Sequence, residues 1–325
     1  MANIKKSARP GSAAKMPDAA KPGGSAYYVR RGVPLYLFLL PAVAACLLFQ
    51  YLPMFSNYIA FLDYNFNNGW FGLASPFAGL KNFQLFIANP AFWTMAGRTV
   101  VYSLCLLVFS FPASLLLALC LNEVRSEWFK RVTQTISYVP HFVSWVTVAG
   151  LFYMFLSTDR SGLVNNLLEL FGYARKPYMQ NANNFLPFLI LSQIWKELGW
   201  GTIIYLAALS NIDPQLYEAA MVDGATRWQR CLRITLPSLM PTTSVLLIFA
   251  LGRLFNNSFD QIFNMQNPLI RAKTDTLNIH MYYRGVVNQQ YAYSAAVGLF
   301  QGLVSLILVL ITNTMSKKIS DTGVF

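Results

Sequence analysis

Residues 218–237 read Glu-Ala-Ala-Met-Val-Asp-Gly-Ala-Thr-Arg-Trp-Gln-Arg-Cys-Leu-Arg-Ile-Thr-Leu-Pro, a polar stretch between two long apolar runs. The chemistry open to these residue types is recognition rather than bond-making. Asp213-Pro214 is a helix start, with a capping carboxylate followed by proline at the first helical position. Leu216, Ala219, Ala220 and Asp223 then fall at i, i+3, i+4 and i+7, so the first three make a small apolar stripe. Gly224 suits the left-handed residue that ends a helix. Thr226 can cap a second helix carrying Trp228, Cys231, Leu232 and Thr235 along one side, and Pro237 is expected to end it. Ala219 and Ala220 let another surface approach closely, and Glu218, off the stripe, can reach a basic group on it. An ordinary amphipathic interfacial loop is the competing reading.

A second set of polar residues lies inside apolar runs. Lys196 and Glu197 stand mid-run with Trp200 beside them, and Arg253 stands in the next run. A charge at a bilayer centre costs roughly 3 kcal/mol or more, so such residues face protein or water and find partners. They either line a solute path or form a brace, Glu197 with Arg253 or with Lys196. Arg253, Asn256, Asn257 and Asp260 are spaced three, one and three apart, which predicts a polar stripe near one end of a helix. With Phe255 and Phe259 nearby, that stripe suits a sugar; packing between two subunits is the alternative. His141 and His280 are isolated in the sequence, and no H-E-x-x-H pattern occurs, so neither metal binding nor catalysis is expected of them. Cys46, Cys105, Cys120 and Cys231 have no metal-site spacing. No G-x4-G-K-[ST] phosphate loop occurs, so ATP hydrolysis by this chain is not expected.

The elements that must position these residues are membrane helices. Of the 325 residues, 55% are hydrophobic and 12% are charged, against about 25% charged in ordinary soluble domains. The apolar residues fall in runs at roughly 35–61, 99–121, 136–156, 185–209, 238–257 and 292–312. A helix needs about 20 residues to span a bilayer. None of the runs alternates strictly, and buried backbone must be satisfied internally, so six helices are predicted rather than a barrel.

Charge orients them. Lys5, Lys6, Arg9, Lys15, Lys21, Arg30 and Arg31 precede the first run; Arg125, Lys130 and Arg131 follow the second. Arg227, Arg230 and Arg233 follow the fourth, and Lys317 and Lys318 the last. The positive-inside rule places both termini and the Glu218 loop in the cytoplasm. The net charge of +12 then reflects topology and anionic membrane lipid rather than nucleic acid. The first run begins too late for an ordinary signal peptide, and the apolar residues continue past Cys46, so processing at that cysteine is not expected. Residues 1–26 read as a disordered basic tail, 27–315 as the membrane domain with its loop at 211–237, and 316–325 as a second tail. Connections at about 63–97, 158–184 and 258–291 face outward; Trp70, Trp93, Phe71, Phe77 and Phe92 are candidate interfacial anchors there, with contact to a partner as the alternative. No internal repeat is visible, which weakens a secondary-transporter reading, for which Glu197 alone is a thin proton or cation site.

The pattern E-A-A-x3-G-x9-I-x-L-P at 218–237 resembles the EAA loop of the permease subunits of binding-protein-dependent, type I ABC importers, the maltose-permease-like kind. Leu35-Tyr36-Leu37-Phe38-Leu39-Leu40-Pro41 and Trp195-Lys196-Glu197-Leu198-Gly199-Trp200-Gly201 look like the oligo- and polysaccharide branch. The large outer domain and extra N-terminal helices of the maltose system's larger permease are missing, so the compact permeases are the better match. The resemblance implies a non-catalytic, multi-pass subunit of a bacterial inner membrane, in which Glu218, Ala219, Ala220, Asp223 and Gly224 couple to a partner ATPase. It implies a second permease (a heterodimer by family habit), two ATP-binding subunits holding ATP and Mg, and a solute-binding protein. No cofactor is expected in this chain. Lys196, Glu197, Trp200, Arg253, Asn256, Asn257 and Asp260 become candidates for the substrate path. An oligosaccharide is the implied solute; the outer Arg175-Lys176 and Arg271 with Lys273 would tolerate an acidic one such as an alginate fragment.

Overall fold

A computed structural model describes residues 25–69, 72, 74–255 and 258–320. The regular secondary structure of the described residues is helical, apart from one isolated bridge between Leu62 and Phe77. The chain divides into Met1–Ser56 and Asn57–Phe325.

In the first unit, α1 (Ser25–Cys46) runs through a π turn at Leu47–Tyr51 into α2 (Leu52–Phe55). Its large side chains point outward; Phe38 is 86% exposed and Phe49 79%. Apolar side chains this exposed suit a lipid environment and would be costly in water. The expected basic tail lies almost wholly outside the described residues.

In the second unit the helices are α3 (Lys81–Ile87), α4 (Pro90–Glu123), α5 (Glu127–Tyr138), α6 (Trp145–Phe155), α7 (Leu163–Leu170), α8 (Ala182–Leu209), α9 (Pro214–Val222), α10 (Arg227–Arg230), α11 (Leu236–Gly252), α12 (Phe259–Met265), α13 (Arg271–Thr274), α14 (Leu277–Met281) and α15 (Tyr291–Ser320). Polar caps start several of them. Asn89 accepts the Ala91 N–H at the head of α4, Asn181 that of Asn183 at α8, and Ser126 that of Phe129 at α5.

Among the described residues four helical stretches are long and apolar enough to cross a membrane: Leu35–Phe61, Pro90–Glu123, Arg227–Gly252 and Tyr291–Lys318. A fifth crossing follows if the bent pair Glu127–Phe142 and Trp145–Phe155 counts as one. The 28-residue α8 is long enough but carries Asn183, Asn184, Gln193, Lys196 and Glu197.

Three expectations about the runs need correction. The run at 136–156 is not one helix: it breaks and bends by 100°. Pro140 sits in a 3₁₀ turn at Val139–Phe142, Val143 is extended, and Ser144 caps α6 by accepting the Thr147 N–H. Pro237 does not end a helix. It occupies the start of α11, and the π turn at Cys231–Thr235 joins α10 to α11 without interruption. Within that turn the Leu236 N–H reaches back five residues to the Cys231 carbonyl, a widened register that accommodates a residue with no N–H of its own. The run at 238–257 ends early, since α11 stops at Gly252 with Arg253 as its cap.

Packing centres on α4 against α8 and α11 against α15. Glycines mark two crossings. A Cβ on Gly199 would lie 2.2 Å from the Ser137 backbone carbon, and one on Gly201 2.5 Å from Ser114 Oγ. Thr202 Oγ1 donates to the Ser114 carbonyl at 3.1 Å across the α4–α8 contact. Alternate glycines therefore let α8 touch α5 and α4 on two sides.

The connections expected to face outward are built rather than loose. Buried Asn165 sits in α7 and donates to the Leu156, Ser157 and Lys176 carbonyls. Phe92, expected at the interface, is fully buried against Phe86, their ring centres 4.6 Å apart, whereas Phe77 and Trp93 stay exposed. Trp70 and Phe71 lie outside the described residues.

Candidate functional site

The segment after α8 forms two short helices joined by a tight turn. Asp213 accepts the Gln215 N–H at 2.9 Å and starts α9. Asp223 ends it, its N–H bonded to the Ala219 carbonyl at 3.0 Å. Gly224 follows at φ +77°, and the Ala225 N–H closes on the Ala220 carbonyl at 2.9 Å. Thr226 and Gln229 then make a reciprocal capping box for α10: the Thr226 N–H donates to Gln229 Oε1 at 2.8 Å and the Gln229 N–H to Thr226 Oγ1.

Glu218, Ala219, Asp223 and Gly224 are exposed and Ala220 is half-buried. Met221 and Val222 stand out beside them, Val222 at 88% exposure. Exposed apolar groups around two alanines and a carboxylate form a surface suited to another protein. The element is also mechanically tied. Tyr217 Oη lies 2.9 Å from Thr235 Oγ1, and Arg227 pairs with Glu123 at the end of α4 at 3.7 Å. The element is also continuous with a long helix, because α10 runs through the π turn into α11 and Arg227–Gly252 forms one 26-residue helical stretch.

The second site is a cavity of about 390 Å³ between α4, α6, α8 and α11, lined in part by Ser103, Ser110, Trp145, Gln193, Glu197 and Trp200. Hydroxyls, an amide, a carboxylate and indole faces can bind a ring with polar edges and an apolar face. On α8 each residue has a separate task. Glu197 and Trp200 face the cavity, while Gly199 and Gly201 seat the helix against α5 and α4. Lys196 is 5% exposed; its Nζ donates to the His141 carbonyl and lies 3.6 Å from Glu197 Oε1 and 5.5 Å from the Trp145 ring centre.

His141 is the residue the sequence reading missed. Its Nδ1 lies 2.8 Å from Glu197 Oε2, and its ring stacks on Trp200 at 4.3 Å and 3°. The sequence reads it as isolated because its carboxylate partner is 56 residues away. A histidine just after a proline at a break in an apolar run was the available signal. His280 is likewise engaged, its Nε2 lying 3.1 Å from Tyr293 Oη.

The expected polar stripe does not form on one helix. Arg253 caps α11 and is exposed, Asp260 is exposed in the first turn of α12, and Asn256 and Asn257 lie outside the described residues. Ser258, in the left-handed region at φ 77°, separates the two helices. Nor does Arg253 pair with Glu197, whose partners are His141 and Lys196. The arginines expected to tolerate an acidic solute are engaged within the chain. Arg175 holds Glu169 at 2.7 Å and the Thr158 and Asp159 carbonyls; Arg271 lies 3.3 Å over the Tyr283 ring and 3.4 Å from Asp275.

Comparison with known proteins places this architecture. Residues 110–321 match the model of the family described as binding-protein-dependent transport system inner membrane component. Protein LplB of Bacillus subtilis strain 168 is 40% identical over 91% of this chain and 92% of its own. The polygalacturonan/rhamnogalacturonan transport system permease protein YteP of the same organism is 41% identical over 90% of each. A chain of the bacterial alginate ABC transporter, solved in complex with alginate pentasaccharide-bound periplasmic protein, superposes with TM-score 0.83 at 38% identity, covering 92% of this chain and 99% of that one.

Proposed function

The chain belongs to the family of binding-protein-dependent transport system inner membrane components, and from that premise we propose that it is a permease subunit of an ATP-driven oligosaccharide importer. Paired with a second, different permease in a bacterial cytoplasmic membrane, it lines the path for a saccharide delivered by a solute-binding protein. Its relatives support a sugar: the chain is similar to a permease named for polygalacturonan and rhamnogalacturonan and to one from an alginate importer. The stacked Trp200 and the hydroxyl-lined cavity fit a pyranose.

The observation that carries the proposal is the exposed α9–Gly224–α10 surface, continuous with α11. ATP and Mg are bound by two partner ATPase subunits, and this chain does no bond chemistry. Nucleotide binding closes the ATPase pair. The surface around Glu218, Ala219, Ala220, Asp223 and Gly224 transmits that motion along α11 to the cavity, a two-state coupling between distant sites. Six crossings with both termini inside complete the arrangement: the four long apolar helices, the bent α5–α6 pair, and α8 with its charges turned to protein and cavity. The membrane domain is 27–315, flanked by tails 1–26 and 316–325.

The test is purification in mild detergent, wild type beside Glu218→Lys. An ATPase subunit and a second permease co-purifying with wild type, with the ATPase lost from the variant, is the expected result. Isolation of the chain alone under conditions that preserve such complexes would overturn the reading.

A further inference from the structure

Where α4 and α15 both begin, a cleft of about 420 Å³ opens beside the spanning helices, within the ~300–1,000 Å³ typical of small-molecule sites. Asp63, Tyr64, Asn82, Asn89, Arg284 and Gln290 contribute to it, and Tyr291 and Tyr293 add the first turn of α15. The charge distribution assigns this end to the outer side of the membrane.

We propose that this cleft is a subsite for a saccharide bearing a carboxylate, a uronate ring, held by Arg284. The inference rests on the oligosaccharide reading above and narrows its solute class. Arg284 Nη1 donates to the neutral Gln290 Oε1 at 3.1 Å, and the guanidinium lies 5.8 Å from the Tyr293 ring centre. Among the described residues no carboxylate forms an ion pair with it. Asp63, the acid that also lines the cleft, is held by Lys81 at 2.9 Å. One positive charge therefore remains without a counter-charge, on the side chain whose planar fork matches a carboxylate.

The rest of the cleft has carbohydrate chemistry. Tyr64 and Tyr291 meet edge to face at 5.9 Å and form an aromatic wall. Asn82 uses its Nδ2 on the Ala60 and Leu62 carbonyls, which fixes the amide in the lining. Gln289 is held in the left-handed region at φ 58°, with the Asn288 N–H on the Tyr283 carbonyl and the Gln290 N–H on the Arg284 carbonyl. That closed turn sets Gln290 against the guanidinium. Arg175 and Arg271 are engaged by Glu169 and Asp275, and the inner cavity presents Glu197 rather than a cation. The outer cleft thus pairs an uncompensated guanidinium with an aromatic wall.

The test uses the intact transporter complex in lipid nanodiscs, without solute-binding protein, titrated calorimetrically with trigalacturonate and with its fully methyl-esterified form. Wild type should bind the acid at least tenfold tighter than the ester, and Arg284→Gln should lose at least tenfold toward the acid. Equal binding of acid and ester to wild type overturns the proposal without relying on any variant. Unchanged acid binding in a folded Arg284→Gln complex also overturns it. If that variant instead weakens only stimulation of ATPase by the binding protein, the cleft is a protein contact and the proposal fails. A complex with stimulated ATPase but no trigalacturonate binding refutes the subsite alone. A preparation with no ATPase refutes the importer reading as well.

Discussion

The imidazole of His141 lies flat on the indole of Trp200, 4.3 Å away, and turns its Nδ1 to Glu197 Oε2 at 2.8 Å. This pair joins the break between α5 and α6 to the cavity-facing side of α8. Lys196, donating to the His141 carbonyl, grips the same turn from behind. The bend is thus fastened by side chains from one helical turn of α8.

Glu197→Ala should loosen that bend and reshape the cavity. A hydrogen bond to a charged group contributes about 1.5–3 kcal/mol, and at 26% exposure of the Glu197 side chain solvent screening lowers the figure to about 1–2 kcal/mol. The expected outcome is a lower melting temperature of the purified complex and slower solute uptake, with ATPase co-purification unchanged. An unaltered melting temperature would show that the pair does not brace the turn.

Gly199→Val should abolish assembly of the helix pair. Its Cβ would meet the Ser137 backbone at 2.2 Å, where no flexible side-chain end can yield. Gly150→Ala is the control, because a Cβ there meets nothing within 4 Å. Membrane yield and detergent-resistant folding should collapse for the first and stay near wild type for the second. Equal yields would contradict the close α5–α8 contact.

Gly224→Ala should strain the turn between α9 and α10. Its φ of +77° lies where an L residue costs about 1–2 kcal/mol, although space for the methyl is open. We expect the chain to fold and insert normally while binding-protein-stimulated ATPase falls several-fold. Wild-type stimulation in the variant would mean that the turn tolerates other geometries without loss of coupling.

His280 gives a pH prediction. It lies in α14, outside the candidate spans, and burial pushes its pKa below the usual 6.5; Arg284 adds to this and Asp275 opposes it. Between the lowered value and 6.5 the unfolded chain binds more protons than the folded one, so stability rises with pH there. Stability is lost as pH falls from 6.5 through the lowered pKa. Thermal melts of wild type should show this acid loss, and His280→Gln should flatten it. Parallel pH profiles would sink the assignment.

How much was legible in the sequence differs between the two sites. Asp213, Pro214, Gly224 and Thr226 act on backbone groups only a few residues away, so the caps and turn of the α9–α10 element follow from local chemistry. Membrane helices were legible for a similar reason, since an apolar run must satisfy its own backbone in lipid. Pro237 misled because a proline rule is also local, and the π turn before it removed the conflict.

The cavity was decided by the tertiary structure. Glu197 meets His141 across 56 residues rather than Arg253, and no periodicity within one segment can report such a pairing. The 100° break that brings His141 there sits where Gly199 lets α8 touch the α5 backbone. Arg284 likewise gained significance from what surrounds it: a neutral Gln290, a Tyr293 ring, and an Asp63 already committed to Lys81. The sequence alone determined the caps and turn of the α9–α10 element and the apolar character of the long helices, because those are properties of neighbours along the chain. The residues lining the cavity and the pairing state of each charge depend on contacts between distant segments, which only packing brings together.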